Sequence, residues 1–221
     1  MVRHAETSNA GNVLHQIRII LAKYIQVAGD EDMHQPKKTI AFLYHRSGKA
    51  VLDWMLSHKD EYKLLCVFYP ENRPITNDYG IIKTCEHNKI NFSTVGYRQL
   101  HAESFHDILN LLDIDMILCN AFSYLIPSNI LSMARLGAYN IHPSYLPDYK
   151  GAKALSRALN DKKEYTGITL HKMNDRFDDG EILFQHKIPI IENDTFDTLY
   201  ERFIDLIPVV LDELNDSFKE G

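Results

Sequence analysis

The sequence predicts an α/β protein built on a doubly wound, mostly parallel sheet. Three observations carry that prediction. Short apolar runs rich in strand formers recur along the chain, of the kind buried on both faces of a parallel sheet. Segments with apolar residues at helical spacing stand between them. Runs and segments then alternate β-α-β-α from residue 37 to about residue 142, as a sheet with crossover helices requires. Crossovers in such a sheet are right-handed, and its functional loops lie at the C-terminal ends of the strands.

Taken in order, residues 1–36 form an N-terminal helical extension and linker, and residues 37–221 form the main domain with its C-terminal helix. "MVRHAETSNAGN" is polar. "VLHQIRIILAKYIQVA" puts Val13, Ile17, Ile20, Leu21 and Tyr24 at helical spacing, and the Gly of "GDEDMHQPKK" ends that helix. This arm packs on the domain or on a second subunit, which makes a homodimer one expectation. "KKTIAFLYH" reads as the first strand. "SGKAVLDWMLSH" reads as a helix with Val51, Trp54, Met55 and Leu56 spaced for a core face. "YKLLCVFY" and "INFSTV" read as strands around the helix "NDYGIIKTCEHN". "SFHDILNLLD" and "PSNILSMAR" read as helices around the strand "IDMILCNAF", and "LGAYNIH" as the next strand. After the helix "GAKALSRALND", the strands "YTGITLHKM" and "GEILFQHKIPI" flank the acidic loop "NDRFDDG". "DTFDTLYERFIDLIPVVLDEL" reads as one amphipathic helix with its N-cap at Asp194 or Thr195, and with Asp205, Asp212 and Glu213 on its solvated face.

Composition narrows the function classes. A chain of 221 residues suits one large domain with small additions. Its net charge of -6 argues against a nucleic-acid surface, since phosphate binding draws on a basic stripe. Cys66, Cys85 and Cys119 lack metal-ligand spacing, and Cys66 and Cys119 sit inside apolar runs. No run approaches the ~18 apolar residues of a membrane span, and the N-terminus lacks a secretory pattern. The expectation is a reduced, cytoplasmic protein with no bound metal and no membrane partner.

"YNIHPSYLPDYKG", residues 139–151, carries the chemistry. On a strand, residues i and i+2 share a face, so Asn140 and His142 project together at a strand end. Pro143 stops the ladder there, and Ser144 and Pro147 suit a turn. Taken alone, the pair reads equally well as hydrogen-bonding caps for the strand. The loop "NDRFDDG" brings Asp175, Asp178 and Asp179 together with Gly180. Taken alone it reads as a solvated hairpin loop. A carboxylate beside the histidine would orient its ring, but spacing does not show that the two meet.

"NIHPSYLPDYKG", "YTGITLHKM" and "FDDGEILFQ", in that order, resemble the folate-dependent formyltransferase family, which includes glycinamide ribonucleotide transformylases, methionyl-tRNA formyltransferases and sugar N-formyltransferases. The resemblance is good from about residue 112 to 205 and weaker from 38 to 111. It implies a Rossmann-like domain that uses N10-formyltetrahydrofolate as formyl donor. It also implies a catalytic Asn140, His142 and Asp178. Asp178 is preferred to Asp179 because the family's aspartate lies two positions before the glycine. "CNAFSYLIP" resembles the segment that holds the pterin ring, which implies Phe122, Ser123, Tyr124 and Ile126 as donor-binding residues, with the loop from Asp175 to Asp178 closing over the ring. Ser144 would shape the active-site loop and Thr169 support it, while His171 alternates with Thr169 near the site.

For the acceptor, the resemblance implies a primary amine. Transformylases that act on glycinamide ribonucleotide place a Gly-rich phosphate loop after the first strand. Here that position reads "YHRSGKAVL", with one glycine and the cations Arg46 and Lys49 as candidates for an acceptor's phosphate. Methionyl-tRNA formyltransferases carry a long C-terminal domain, whereas this sequence stops about 30 residues after the last strand. A nucleotide-linked amino sugar is therefore the expected acceptor, walled by residues 145–153, with Ser144, Tyr149 and Lys150 in contact. Glycinamide ribonucleotide or another small amine is the alternative. A non-catalytic formyltransferase-like binding module is the second alternative, and the complete Asn140, His142 and Asp178 set argues against it.

Overall fold

The computed structural model describes residues 35–219. The helix expected around Val13 to Tyr24 lies outside the described residues. Seven strands form one sheet: β1 (Lys37–Leu43), β2 (Tyr62–Pro70), β3 (Asn91–Val95), β4 (Met116–Asn120), β5 (Gly137–His142), β6 (Tyr165–Lys172) and β7 (Ile182–Pro189), in the order β3-β2-β1-β4-β5-β6-β7. From β3 to β5 every pairing is parallel. β6 and β7 add an antiparallel end.

The apolar runs form this sheet because both of its faces are covered. In β1, Ala41 and Leu43 enter one core and Ile40 and Phe42 the other, all fully buried. In β4, Met116 and Leu118 divide from Ile117 and Cys119 in the same way. This is the two-residue side-chain period of a strand sandwiched between helices. One face carries α1 (His45–Ser57) and α2 (Ile81–His87). The other is covered chiefly by α4 (Glu103–Asn110) and α5 (Ser128–Leu131), with the short α3 (Tyr97–Leu100) before them. α6 (Ala154–Asn160) leads into β6.

Two elements differ from the sequence expectation. The single C-terminal helix is two helices, α7 (Phe196–Asp205) and α8 (Ile207–Ser217), which meet at Leu206. Pro208 has no N–H to give to a continuing helix, but it fits the first turn of a new one, where that donor would be orphaned anyway. The break lets Leu199, Tyr200 and Phe203 of α7 and Ile207, Val210, Leu211 and Leu214 of α8 reach one core. Asp205 and Asp212 are exposed and Glu213 is half-buried, as a solvated face requires, and two of these carboxylates also take partners. Trp54 Nε1 donates to Asp212 at 2.7 Å, and Glu213 meets His186 Nε2 at 3.0 Å. The helix read in "PSNILSMAR" shrinks to Ser128–Leu131.

The chain runs outward from β1 through β2 to β3, then returns to β4 on the other side of β1. That reversal opens a crevice beyond the C-terminal ends of β1 and β4, the place where open α/β sheets bind ligands. No described helix is long and apolar enough to cross a membrane.

Phe203 is 1% exposed and joins α7 to the sheet core. Phe203→Ala is expected to lower the unfolding free energy by about 3–5 kcal/mol, the transfer term plus the residual cavity. Urea denaturation would show this as a lower midpoint at an unchanged slope.

Candidate active site

Strand register assembles the site. The antiparallel pairing of β5 with β6 sets Asn140 opposite His171 and His142 opposite Thr169. The pairing of β6 with β7 sets Thr169 opposite Gln185. The loop from β6 to β7 then returns Asp178 to this row, with its backbone in the left-handed region at φ 50°. Two glycines permit the close approach. A Cβ on Gly180 would stand 1.8 Å from the Lys172 carbonyl oxygen, and one on Gly167 would stand 2.5 Å from that of His186.

Asp178 is the hub. Its Oδ2 lies 3.2 Å from His142 Nδ1 and accepts from the Gly151 N–H at 2.7 Å. Its Oδ1 accepts from Asn140 Nδ2 at 3.1 Å and lies 3.5 Å from His171 Nε2. Asn140 Nδ2 also lies 3.2 Å from His171 Nε2. Asp179 faces elsewhere, paired with Lys150 and with Arg176 at 3.6 Å. The adjacent carboxylates thus take different partners.

Burial works against charge on Asp178, but the His171 contact, the His142 ring and the Gly151 N–H outweigh it and hold the carboxyl below its usual range. It is ionised at neutral pH. His142 is 5% exposed. Desolvation depresses its pKa, against the opposing pull of Asp178 and of the Tyr149 carbonyl, which lies 2.9 Å from Nε2. Only a protonated ring donates to both acceptors at once, and burial resists that proton.

Beside this cluster lies a cavity of about 450 Å³. Phe122, Ser123, Tyr124 and Ile126 line it, as do Asn140, His142 and Asp178. Phe122 packs edge-on against Phe42 and Tyr124. Ser123 donates to Asn72 at 2.6 Å. Asp175 is exposed and stands outside the lining, which its neighbours Asn174, Arg176 and Phe177 supply. Cys119 is at the floor, with its thiol pushed up to about 12 by burial, so it stays protonated.

The remaining sequence candidates lie around this centre. Ser144 is fully buried and donates to the Asp148 carbonyl at 2.6 Å. Tyr149 donates its hydroxyl to Asp161 at 2.7 Å, and Lys150 is held by Asp179. Arg46 and Lys49 do not line the cavity. Arg46 pairs with Glu201, and Lys49 meets Asp53 at 2.5 Å. At the start of α1 the Tyr200 hydroxyl accepts from the Ser47 N–H at 3.2 Å, donates to Ser47 Oγ at 3.0 Å and contacts His45 Nδ1 at 2.7 Å. The sequence reading missed Arg73, which lines the cavity together with Lys153 and Phe177 from the loops 145–153 and 175–178 that it had placed around the site.

Fold and crevice together describe an α/β protein with a lined cavity at the switch point of its sheet. The comparison with known sequences is more specific: the Formyl transferase profile matches residues 55–212, and the chain belongs to that family. It is 39% identical over 107 residues to a methionyl-tRNA formyltransferase of Thermotoga maritima, covering 48% of this chain and 34% of that protein. It is 41% identical over 95 residues to that of Ehrlichia chaffeensis, covering 43% and 31%. The chain thus spans about a third of the length of these curated relatives. Its fold is that of phosphoribosylglycinamide formyltransferase from Bacillus halodurans (TM-score 0.67, 22% identity, 80% of this chain and 95% of that one). A sugar N-formyltransferase from Shewanella sp. FDAARGOS_354 also shares it (TM-score 0.62, 20% identity, 79% and 68%).

A depressed histidine binds its proton more weakly in the folded state than in the unfolded one. Its stabilising contribution is complete above the unfolded value of about 6.5 and is lost as pH falls through the folded value. His142→Gln removes that term. The urea midpoint of the variant is therefore expected to fall less steeply than wild type as pH drops from about 6.5; parallel curves would assign the effect to other groups.

Proposed function

We propose that the protein transfers a formyl group from N10-formyltetrahydrofolate to a primary amine of a small acceptor. The observation that carries this reading is the Asp178-centred cluster at the edge of a cavity walled by Phe122, Ser123, Tyr124 and Ile126. A volume of about 450 Å³ with largely apolar walls and a few convergent polar groups suits a flat heteroaromatic donor. Family membership supports the same chemistry.

In this mechanism the neutral acceptor amine attacks the formyl carbon, and negative charge develops on the formyl oxygen. Asn140 donates its amide N–H to that oxygen, and the His142 ring donates from Nε2, whose N–H turns to it from the Tyr149 carbonyl. Negative charge arriving beside Nε2 raises the affinity of the ring for the proton that burial resists. Preorganised donors of this type are worth roughly 3 kcal/mol each in acyl transfer. Asp178 keeps His142 oriented and, directly or through water, takes the proton that the attacking nitrogen loses. The donor nitrogen departs with a proton as the C–N bond breaks.

For the acceptor we propose a nucleotide-linked amino sugar. Tyr200 already fills the N-terminus of α1, and Arg46 and Lys49 are already matched to carboxylates, which weighs against a ribonucleotide phosphate seated there. Residues 145–153 would wall the acceptor. A second reading, the amine of methionyl-tRNA, draws on the identity to methionyl-tRNA formyltransferases. The net charge of -6 weighs against it.

Incubation with N10-formyltetrahydrofolate and a panel of nucleotide-linked amino sugars, glycinamide ribonucleotide and methionyl-tRNA tests this by mass spectrometry. A single formyl gained by an amino sugar is the expected result. Donor binding with no product from any amine would favour a binding module. With the productive acceptor, Asn140→Ala and Asp178→Asn are each expected to lower kcat by about 10²–10³ while the fold is kept. Near-normal turnover in either would remove the role assigned to that residue.

A further inference from the structure

His142, Thr169 and Gln185 stand opposite one another across β5, β6 and β7. The turn that follows His142 is tied to this row by side chains. The fully buried Thr169 hydroxyl donates to the Ser144 carbonyl at 2.7 Å and accepts from the Leu146 N–H at 3.1 Å. The Gln185 carboxamide donates from one nitrogen to the Thr169 hydroxyl and to the Leu146 carbonyl, both at 2.9 Å. Three backbone groups of a buried turn thereby find partners that regular structure cannot give them.

Neither Thr169 nor Gln185 lines the cavity. Their effect passes along the chain. The turn leads directly to the Tyr149 carbonyl beside His142 Nε2, and to the Gly151 N–H that donates to Asp178. A shift of the turn would move both backbone groups relative to the ring and the carboxylate. Misplacement by about 1 Å can cost two orders of magnitude in rate.

We propose that Gln185, acting through Thr169 and the Ser144–Leu146 turn, is a positioning residue for His142. The consequence for rate rests on the formyl-transfer reading; the placement of the ring does not. A Gln at this point on an edge strand would otherwise be replaceable by any half-buried side chain of similar size.

The test uses the full chain with Gln185→Met, Thr169→Val and Thr169→Ser. Met keeps the volume of Gln185 and removes its donors, Val removes the Thr169 hydroxyl, and Ser keeps it. The readouts are the ring-nitrogen chemical shifts of His142, assigned against His142→Gln, and the separate values of kcat and donor KM. Gln185→Met and Thr169→Val are expected to move the His142 shifts and to lower kcat by about tenfold or more, with donor KM within about twofold. Thr169→Ser is expected to restore both. The double variant is expected to be no slower than the slower single one, because the two residues act as one unit. Folded variants with unmoved His142 shifts would overturn the proposal. Moved shifts in a protein that formylates none of the amines would uphold the positioning and remove the formyl-transfer reading. If Thr169→Val does not fold, Gln185→Met decides alone, since Gln185 is only half-buried.

Discussion

The register of β5 against β6 is the constraint on which the rest depends. Side chains alternate across a strand with a period of two, so sliding β6 by one residue would turn His171 and Thr169 to the opposite face. Asn140 would lose the imidazole at its amide, and the Ser144–Leu146 turn would lose its hydroxyl. The register is pinned from several directions. Ile168 and Leu170, both fully buried, must enter the core. Gly167 admits the Tyr145 side chain and the neighbouring strand where any Cβ would collide. Gly180 lets the returning loop press against Lys172 and bring Asp178 over the row.

Asp178 gives that geometry its energetic coherence. A largely buried carboxylate is costly unless it is matched. Here its oxygens receive a backbone N–H and a side-chain amide and face two imidazoles. Those four partners come from three segments: the loop after β5, β5 itself and β6. The charge therefore serves as a clamp as well as a chemical group, because removing it would leave several buried donors without an acceptor. The left-handed backbone at Asp178 is a conformational cost that these contacts offset.

Much of this was legible in the sequence, because the relevant information is local. Alternating apolar runs foretold the strands. The i, i+2 spacing of Asn140 and His142 foretold a shared face. The Gly180 position, through the family resemblance, singled out Asp178 over Asp179, and the two carboxylates have different partners in the fold. What the sequence could not display is contact across long separation. Tyr200 meets Ser47 across 153 positions, and no periodicity in either segment announces it. Arg73 reaches the cavity from the loop after β2 with no motif around it. The break at Leu206 was visible as Pro208, yet the apolar stripe runs on through it, so pattern alone favours one helix where backbone chemistry makes two.

Contact at long separation also bears on which molecule the crevice receives. An anion seated on the N-terminus of α1 would have to displace a phenol that is 6% exposed and breaks three polar contacts on leaving. It would also compete with Glu201 for Arg46. Vacating a buried aromatic position is a cost of several kcal/mol, whereas a charge at a helix terminus gains about 0.3–2 kcal/mol. The balance favours Tyr200 staying in place. The open surface lies instead along the cavity, where Arg73 and Lys153 stand with Phe177 and the Asp178 cluster. Recognition of the proposed acceptor is therefore best sought between the loop after β2 and the loop after β5, and the first βα turn serves as a packed joint between α1 and α7.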